Sequence, residues 1–206
     1  FSVIVVGKDV SQFAQIYPNI QWIDLDIVRK MNIISDIKAL YSLIRIILLI
    51  KPDIVHSIMP KAGLLAALSG FICRVPTRMH TFTGQVWANN NGFSKIILFY
   101  LDKLVNYLNT ICLTDSASQS LFLFEHSIKN IGNPLPVLSK GSLAGYDTDR
   151  IPARLSIAER RNFRKSLGIN KSDFVFSFIA RKTREKGAVD ILKSFSNIVI
   201  KVSVSI

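Results

Sequence analysis

Short apolar runs alternate with amphipathic stretches along the chain, and this pattern predicts strands that alternate with helices. The short runs are rich in valine, isoleucine and phenylalanine, whereas the longer stretches place apolar residues three or four positions apart. Such alternation predicts an α/β fold built on a parallel sheet. Strands are expected at residues 2–7, 21–25, 53–58, 77–83, 111–114 and 174–180, with a further one within 197–206, and helices at 35–50, 64–73, 94–108, 116–125 and 157–167 and from 187 onward.

The helix expected at residues 35–50 carries an apolar stripe with two cations beside it, Lys38 and Arg45. A stripe of this kind usually packs on a sheet. A basic amphipathic helix can also lie on a membrane surface, so both interpretations stay open. The stripe consists of Ile37, Leu40, Tyr41, Ile44, Ile47 and Leu48.

Three serines are placed to cap helices. Ser116 with Gln119, and Ser156 with Glu159, have the spacing of a capping box, and Ser94 precedes a third helix. Between these helices, residues 130–149 are rich in glycine and proline, which is typical of a domain edge. We therefore expect a first domain at 1–150, a linker helix at 151–170 and the start of a second domain at 171–206.

Composition indicates a globular protein with an anionic partner. The 206 residues are 49% hydrophobic and 19% charged, and the formal net charge is +12. Nucleic acid, acidic lipid or a phosphorylated substrate would each suit that charge. The chain has no interleaving of aromatic and basic residues and no helix-turn-helix pattern, so nucleic acid is not expected. No apolar run is long enough to span a bilayer.

The basic segment that follows the strand expected at 174–180 has the features of an anion site. Arg181 and Lys186 lie five residues apart, and Gly187 stands where a helix begins. Free N–H groups at a helix start and two cations would suit a phosphate. The alternative is a solvated basic turn.

Further polar residues follow the earlier strands. In a parallel sheet, ligands bind beyond the carboxyl ends of the strands, where Lys61, Gly63, His80, Thr83 and Gly84 are expected. A lysine amine and glycine N–H groups suit an anion, and a histidine there could exchange a proton. The alternative for His80 is a hydrogen-bonded core histidine.

Metal ligands and cofactor motifs are not evident. The chain has no Walker loop and no Gly-x-Gly-x-x-Gly sequence, and its histidines and cysteines lack metal-site spacing. Two acidic pairs, Asp24 with Asp26 and Asp147 with Asp149, do not fall cleanly at a strand end. Neither a metal nor a cofactor is therefore expected.

Six segments together resemble one family of enzymes, the bacterial family 4 glycosyltransferases of the capsule and O-antigen type. They occur in the family's order and cover nearly the whole chain. They are KPDIVH at 51–56, PKAG at 60–63, HTFTGQVWA at 80–88, DSASQ at 115–119, GSLAGYD at 141–147 and RKTREKG at 181–187.

The resemblance implies a GT-B fold, in which two Rossmann-like domains face each other across a cleft. It implies a nucleotide-sugar donor, a lipid-linked saccharide acceptor, retention at the anomeric carbon and no obligatory metal. It also implies a cytoplasmic location, on the inner face of the membrane. Donor-phosphate contacts would come from Arg181, Lys186, Gly187 and Gly84, and acceptor-side contacts from Lys61, Gly63, His80 and Thr83.

Departures from the family pattern limit what can be carried over. Ala180 stands where many members have glycine, and Thr83 stands where many have histidine, so no catalytic histidine is assigned there. The family's first strand and its donor-binding glutamates have no counterpart, and we expect a fragment that is inactive alone. The alternative function is a basic non-catalytic module that binds nucleic acid or acidic membrane.

Overall fold

The computed structural model describes residues 1–28, 32–141, 149, 153–180 and 186–204. The chain divides into two compact units, Phe1–Tyr146 and Asp147–Ile206. The strands are β1 (Val3–Gly7), β2 (Ile20–Asp24), β3 (Ile54–Ser57), β4 (Thr77–Phe82) and β5 (Ile111–Thr114), and the helices are α1 (Ile33–Ile50), α2 (Pro60–Ile72), α3 (Gly92–Leu108), α4 (Ala117–Glu125), α5 (Ile157–Ser166) and α6 (Ala188–Val204).

All strand pairs in the first unit are parallel, which confirms the predicted α/β class. β1 pairs with β2, and β3, β4 and β5 form a second sheet in that order. Ser57 lies opposite His80, and Phe82 lies opposite Thr114. The carboxyl ends of β3, β4 and β5 therefore meet at one sheet edge, where the sequence predicted a site.

Two apolar clusters hold the first unit together. One joins α1 and α2 to the end of β2, with Leu43, Leu65 and Leu25 buried in it. The other lies between β4, β5, α3 and α4 and contains Phe82 and Trp87. α2 packs against both α1 and α3, and its buried small residues allow that close approach.

Helix α1 has two apolar faces, and half of the stripe noted in the sequence lies on the outer one. Ala39, Leu43 and Ile47 form the inner face and are buried. Ile37 and Tyr41 are 61% and 62% exposed. Packing on the sheet therefore explains only part of the stripe.

Two helix starts differ from the prediction. Residues 60–63, expected as a loop, form the first turn of α2, because Pro60 at a first helical position is already set for helical geometry. α3 begins at Gly92 after Asn91, so Ser94 lies inside the first turn, where its hydroxyl donates to the Asn91 carbonyl at 3.0 Å. Of the capping box predicted at Ser116, the serine half is confirmed, because its hydroxyl accepts from the backbone N–H of Gln119. The other half is wrong, since the Gln119 side chain accepts from the Asp115 N–H and not from that of Ser116.

In the second unit the predicted capping box is confirmed and the predicted strand is wrong. Ser156 and Glu159 exchange both hydrogen bonds at the start of α5. Residues 174–180 are exposed and pair with no strand in the described part of the chain. An isolated strand leaves its backbone groups without partners, so β-forming residues alone do not make one. The strand expected within 197–206 is also wrong, because α6 continues to Val204.

Candidate functional site

The carboxyl edge of β3 and β4 is organised around His80. This residue is 2% exposed, and its Nδ1 lies 2.9 Å from the Ser57 hydroxyl on β3. Its ring meets Phe82 edge-on, with centroids 4.6 Å apart. Burial, with a smaller contribution from His56, lowers the pKa of His80 to about 4. The ring is therefore neutral near pH 7.

Gly63 and His80, both predicted as acceptor-side residues, are in direct contact. A Cβ atom at position 63 would lie 2.8 Å from His80 Nδ1. Glycine at this turn of α2 thus lets the helix approach β4. The structure brings these two residues together, but in the protein interior.

His56, the residue before Ser57 on β3, also links β3 to β4. Its Nε2 lies 2.9 Å from the Thr81 hydroxyl on β4. Partial burial lowers the pKa of His56. Both histidines thus tie neighbouring strands together through hydroxyl groups.

Lys61, the third predicted acceptor-side residue, points towards α1. Its Nζ lies 2.6 Å from the carboxylate of Asp36 and donates to the Val28 carbonyl at 2.5 Å. The amine is half-buried in these contacts. Lys61 therefore fastens the start of α2 to the start of α1 and to the segment after β2.

Thr83 and Gly84 follow β4 at the sheet edge. Gly84 has a φ of 156°, and no heavy atom lies within 4 Å of the position its Cβ would take. Its backbone is therefore open to a ligand. Asp115, at the matching position after β5, donates its backbone N–H to the Phe82 carbonyl at 3.3 Å, which brings the two exit loops together.

A glutamine pair links these loops and was not predicted. Gln119 on α4 accepts from the Asp115 N–H at 3.2 Å and donates to the side chain of Gln85 at 3.3 Å. Gln85 Nε2 is buried and has no partner among the described residues. The signal available in the sequence was the position of each glutamine: Gln85 lies two residues after the end of a predicted strand, and Gln119 lies three residues after the predicted capping serine Ser116.

Trp87 is a packing residue rather than an exposed stacking surface. It is 2% exposed and stacks on Phe122 with centroids 5.4 Å apart. Its indole N–H donates to Asp102 on α3 at 2.8 Å. Burial raises the pKa of Asp102 to about 6, although the Trp87 hydrogen bond opposes the shift.

Three of the predicted donor-phosphate residues, Arg181, Lys186 and Gly187, belong to the second unit, whereas Gly84 follows β4 in the first unit. Gly187 has a φ of 73°, and its carbonyl accepts from Ile191 in the first turn of α6. Lys186, immediately before it, is exposed. Arg181 lies outside the described residues.

A separate open cavity of about 560 Å³ runs along α5, beside Arg160, Arg164 and Lys171.

The acidic residues at the end of β2 have protein partners. Asp24 accepts hydrogen bonds from the Ser11 backbone and hydroxyl, which lower the pKa of its carboxyl. Asp26 pairs with Lys8 at 3.2 Å. In the described part of the chain, no three His, Cys, Asp or Glu side chains come together as a metal centre would need. Of the second acidic pair, Asp147 lies outside the described residues.

The chain is similar to two curated glycosyltransferases. It is 29% identical over 201 residues to the capsular polysaccharide biosynthesis glycosyltransferase CapM of Staphylococcus aureus, across 95% of this chain and 49% of the relative. It is 25% identical over 165 residues to the UDP-Gal:alpha-D-GlcNAc-diphosphoundecaprenol alpha-1,3-galactosyltransferase of Escherichia coli, across 77% of this chain and 39% of the relative. The predicted resemblance to capsule-type glycosyltransferases is thereby confirmed.

Two further comparisons add little. No protein-family model matches the chain. A solved structure assigned as a UDP-N-acetylglucosamine 2-epimerase from Listeria monocytogenes aligns with a TM-score of 0.46 and 18% identity, over 61% of this chain and 34% of that one. The chain spans about half the length, or less, of the curated relatives it matches.

Proposed function

We propose that the chain is part of a retaining glycosyltransferase of GT-B architecture. In this proposal, the whole protein transfers a sugar from a nucleotide-sugar donor to a lipid-linked glycan during surface polysaccharide synthesis. The observation that carries it is the similarity to CapM over 95% of the chain. The E. coli relative is named for a UDP-linked donor and a diphosphoundecaprenol acceptor, which supports both substrate classes.

In this proposal the donor diphosphate lies at the start of α6. Lys186 is exposed there, and the backbone at Gly187 has the left-handed conformation that glycine adopts readily. The first N–H groups of a helix lack intrahelical acceptors and carry partial positive charge. Together with Arg181, they would stabilise the negative charge that develops on the leaving nucleotide.

In this proposal Thr83, on the exit loop of β4, faces the acceptor, and Gly84, beside it in the same loop, contacts a phosphate of the donor. The open space beside Gly84 favours approach of a saccharide or of a phosphate oxygen to the backbone. His80 lies just beneath this loop but is buried and hydrogen-bonded to Ser57. We therefore assign His80 and Gly63 the role of holding α2 and β4 in position.

The location follows from the substrates. A lipid-linked acceptor and a nucleotide-sugar donor meet at the inner face of the cytoplasmic membrane, so we place the protein in the cytoplasm and against that face. The structure describes no helix long and apolar enough to cross a membrane.

Nucleotide binding is the measurement that suits these 206 residues, because they span about half the length of CapM. Titration with UDP, GDP and dTDP by calorimetry should reveal binding of one of them. Lys186→Ala should weaken that binding about tenfold, as expected for a lost charge-assisted hydrogen bond. Lys193→Ala is the matched control, since Lys193 is an exposed cation on the same helix.

Three outcomes would contradict the proposal. The first is that none of the three nucleotides binds, and the second is that Lys186→Ala binds a nucleotide as tightly as the parent chain. The third is salt-sensitive binding to random duplex DNA in place of nucleotide binding, which would favour the basic non-catalytic module.

A further inference from the structure

Helices α1 and α3 both present an apolar stripe to the outside of the first unit. On α1, Ile33, Ile37, Tyr41 and Leu48 are more than half exposed and recur at helical spacing. These four residues do not form the inner face of α1, because Ala39, Leu43 and Ile47 are the residues buried on that side of the helix. Within the described residues, the outer stripe is thus not used for packing.

Helix α3 repeats this arrangement with more aromatic side chains. Its exposed stripe contains Phe93, Ile96, Ile97, Tyr100 and Tyr107, and the last is 81% exposed. The inner side carries the buried Val105 and Leu108. Tyrosine combines an apolar ring with a hydroxyl, which suits a boundary between water and hydrocarbon.

Each of these helices has one acidic residue, and the fold turns both inward. Asp36 on α1 pairs with Lys61 at 2.6 Å. Asp102 on α3 accepts from the buried indole of Trp87 at 2.8 Å. Both carboxylates therefore serve internal contacts and leave the outer stripes without a negative charge.

The charges that remain beside the stripes are positive. Lys38 and Arg45 are exposed on α1, and the Arg45 guanidinium lies 6.0 Å from the Tyr41 ring centroid. Lys103 on α3 lies 4.9 Å from the ring centroid of Phe99. An apolar stripe edged by cations is complementary to a surface that is apolar within and anionic at its boundary.

We infer that the outer faces of α1 and α3 dock on the surface of an anionic lipid bilayer. The charge argues against a second copy of the chain as the occupant, because two positively edged faces repel each other. Neither helix qualifies as a membrane span, so the mode of contact is a helix lying in the interface. This inference rests on the proposed function, since it gives the glycosyltransferase the surface by which it reaches a lipid-linked acceptor.

The test is co-sedimentation of the 206-residue chain with vesicles of mixed phosphatidylcholine and phosphatidylglycerol, compared with pure phosphatidylcholine. The chain should bind the mixed vesicles, and binding should weaken with salt. Lys38→Ala with Arg45→Ala should weaken it roughly 30-fold, at about a fivefold loss for each cation. Lys129→Ala with Lys140→Ala is the control, because both lysines are exposed and lie outside these helices.

The apolar part is tested separately. Tyr41→Ser with Leu48→Ser, and Phe93→Ser with Tyr100→Ser, should each weaken binding by about tenfold or more. Ile131→Ser with Leu138→Ser is the matched control, since both residues are exposed and belong to neither helix. Circular dichroism should show unchanged helix content in every variant, because all of the substituted side chains are exposed.

Three results would overturn the inference: equal binding to neutral and mixed vesicles, unchanged binding of the α1 and α3 variants, or a dimer that depends on Tyr41 and Leu48 without vesicle binding. The vesicles contain no donor and no glycan acceptor. Failure here would therefore leave nucleotide binding through Lys186 untouched, and failure of nucleotide binding would leave this surface untouched.

Discussion

The imidazole of His80 occupies the space that a side chain at position 63 would need. Gly63 lies in the first turn of α2, and its missing Cβ would be 2.8 Å from His80 Nδ1. His80 in turn is held by Ser57 at 2.9 Å. The position of α2 on the sheet thus depends on the pairing of one glycine with one buried ring.

Substitution Gly63→Ala should destabilise the first unit. The added methyl group overlaps a ring that cannot move freely, and overpacking of this kind costs about 1–3 kcal/mol. Urea unfolding followed by circular dichroism measures the loss. Gly70→Ala, in the same helix, is the control and should cost less, because its Cβ would meet the side chain of Arg78 at 3.2 Å rather than a fixed ring.

The steric explanation also predicts coupling between the two positions. In a double-mutant cycle with His80→Ala, the cost of Gly63→Ala should shrink, because the overlapping ring is gone. If the destabilisations caused by Gly63→Ala and His80→Ala were additive in the double variant, the steric contact could not be the cause of the Gly63→Ala effect.

His80 should make stability depend on pH in the acidic range. Its folded pKa of about 4 is below the ordinary value of 6.5, so between these values the unfolded chain binds a proton that the folded chain does not. The free energy of unfolding should therefore fall as the pH decreases from about 6.5 to 4, by up to about 3 kcal/mol. His80→Gln should reduce this slope while keeping a partner for Ser57, and the part that remains includes His56, whose pKa is also lowered by burial. An unchanged slope in that variant would exclude His80 as its source.

Asp102 should make the free energy of unfolding depend on pH in the opposite direction to His80. Burial raises its pKa from 3.8 to about 6, so the folded chain holds a proton between those values that the unfolded chain has released. Stability from this group is greatest below pH 3.8 and falls as the pH rises to 6. Asp102→Asn keeps an acceptor for the Trp87 N–H, removes the buried charge and should stabilise the chain near pH 8 by about 1–3 kcal/mol.

A second variant separates charge from hydrogen bonding. Asp102→Ala removes the acceptor as well, so the buried indole N–H of Trp87 loses its partner at a cost of about 1–3 kcal/mol. In thermal unfolding at pH 8, the Asp102→Asn variant should have a higher melting temperature than the parent chain. The Asp102→Ala variant should have a lower melting temperature than Asp102→Asn. Equal stability of the two variants would contradict the role of the hydrogen bond.

The sequence predicted local structure well where the signal was chemical and nearby. The capping residues Ser116 and Ser156 act as expected, because a hydroxyl that accepts from an N–H three residues ahead needs no distant partner. The parallel α/β alternation of the first unit followed from apolar patterning alone. Failure came where structure depends on distant partners, as in the unpaired segment 174–180.

The candidate site was predictable in position and less so in detail. Strand ends placed Gly63, His80 and Gly84 at one sheet edge, because parallel strands point the same way. For His80 the sequence left a core position open as an alternative, and its burial supports that alternative. The pairing of Lys61 with Asp36 and the contact between Gln85 and Gln119 emerged only from tertiary packing, because side-chain partners on other elements cannot be identified from spacing.

The ion pair between Lys61 and Asp36 has a consequence for any anion that approaches the start of α2. The amine already has a carboxylate at 2.6 Å and a backbone carbonyl at 2.5 Å. An incoming phosphate or carboxylate would have to take the place of Asp36, so association at this point is an exchange of one anion for another. The displaced aspartate would then lose its contact with Lys61 and keep the hydrogen bond that it accepts from the Asn32 N–H at 3.3 Å.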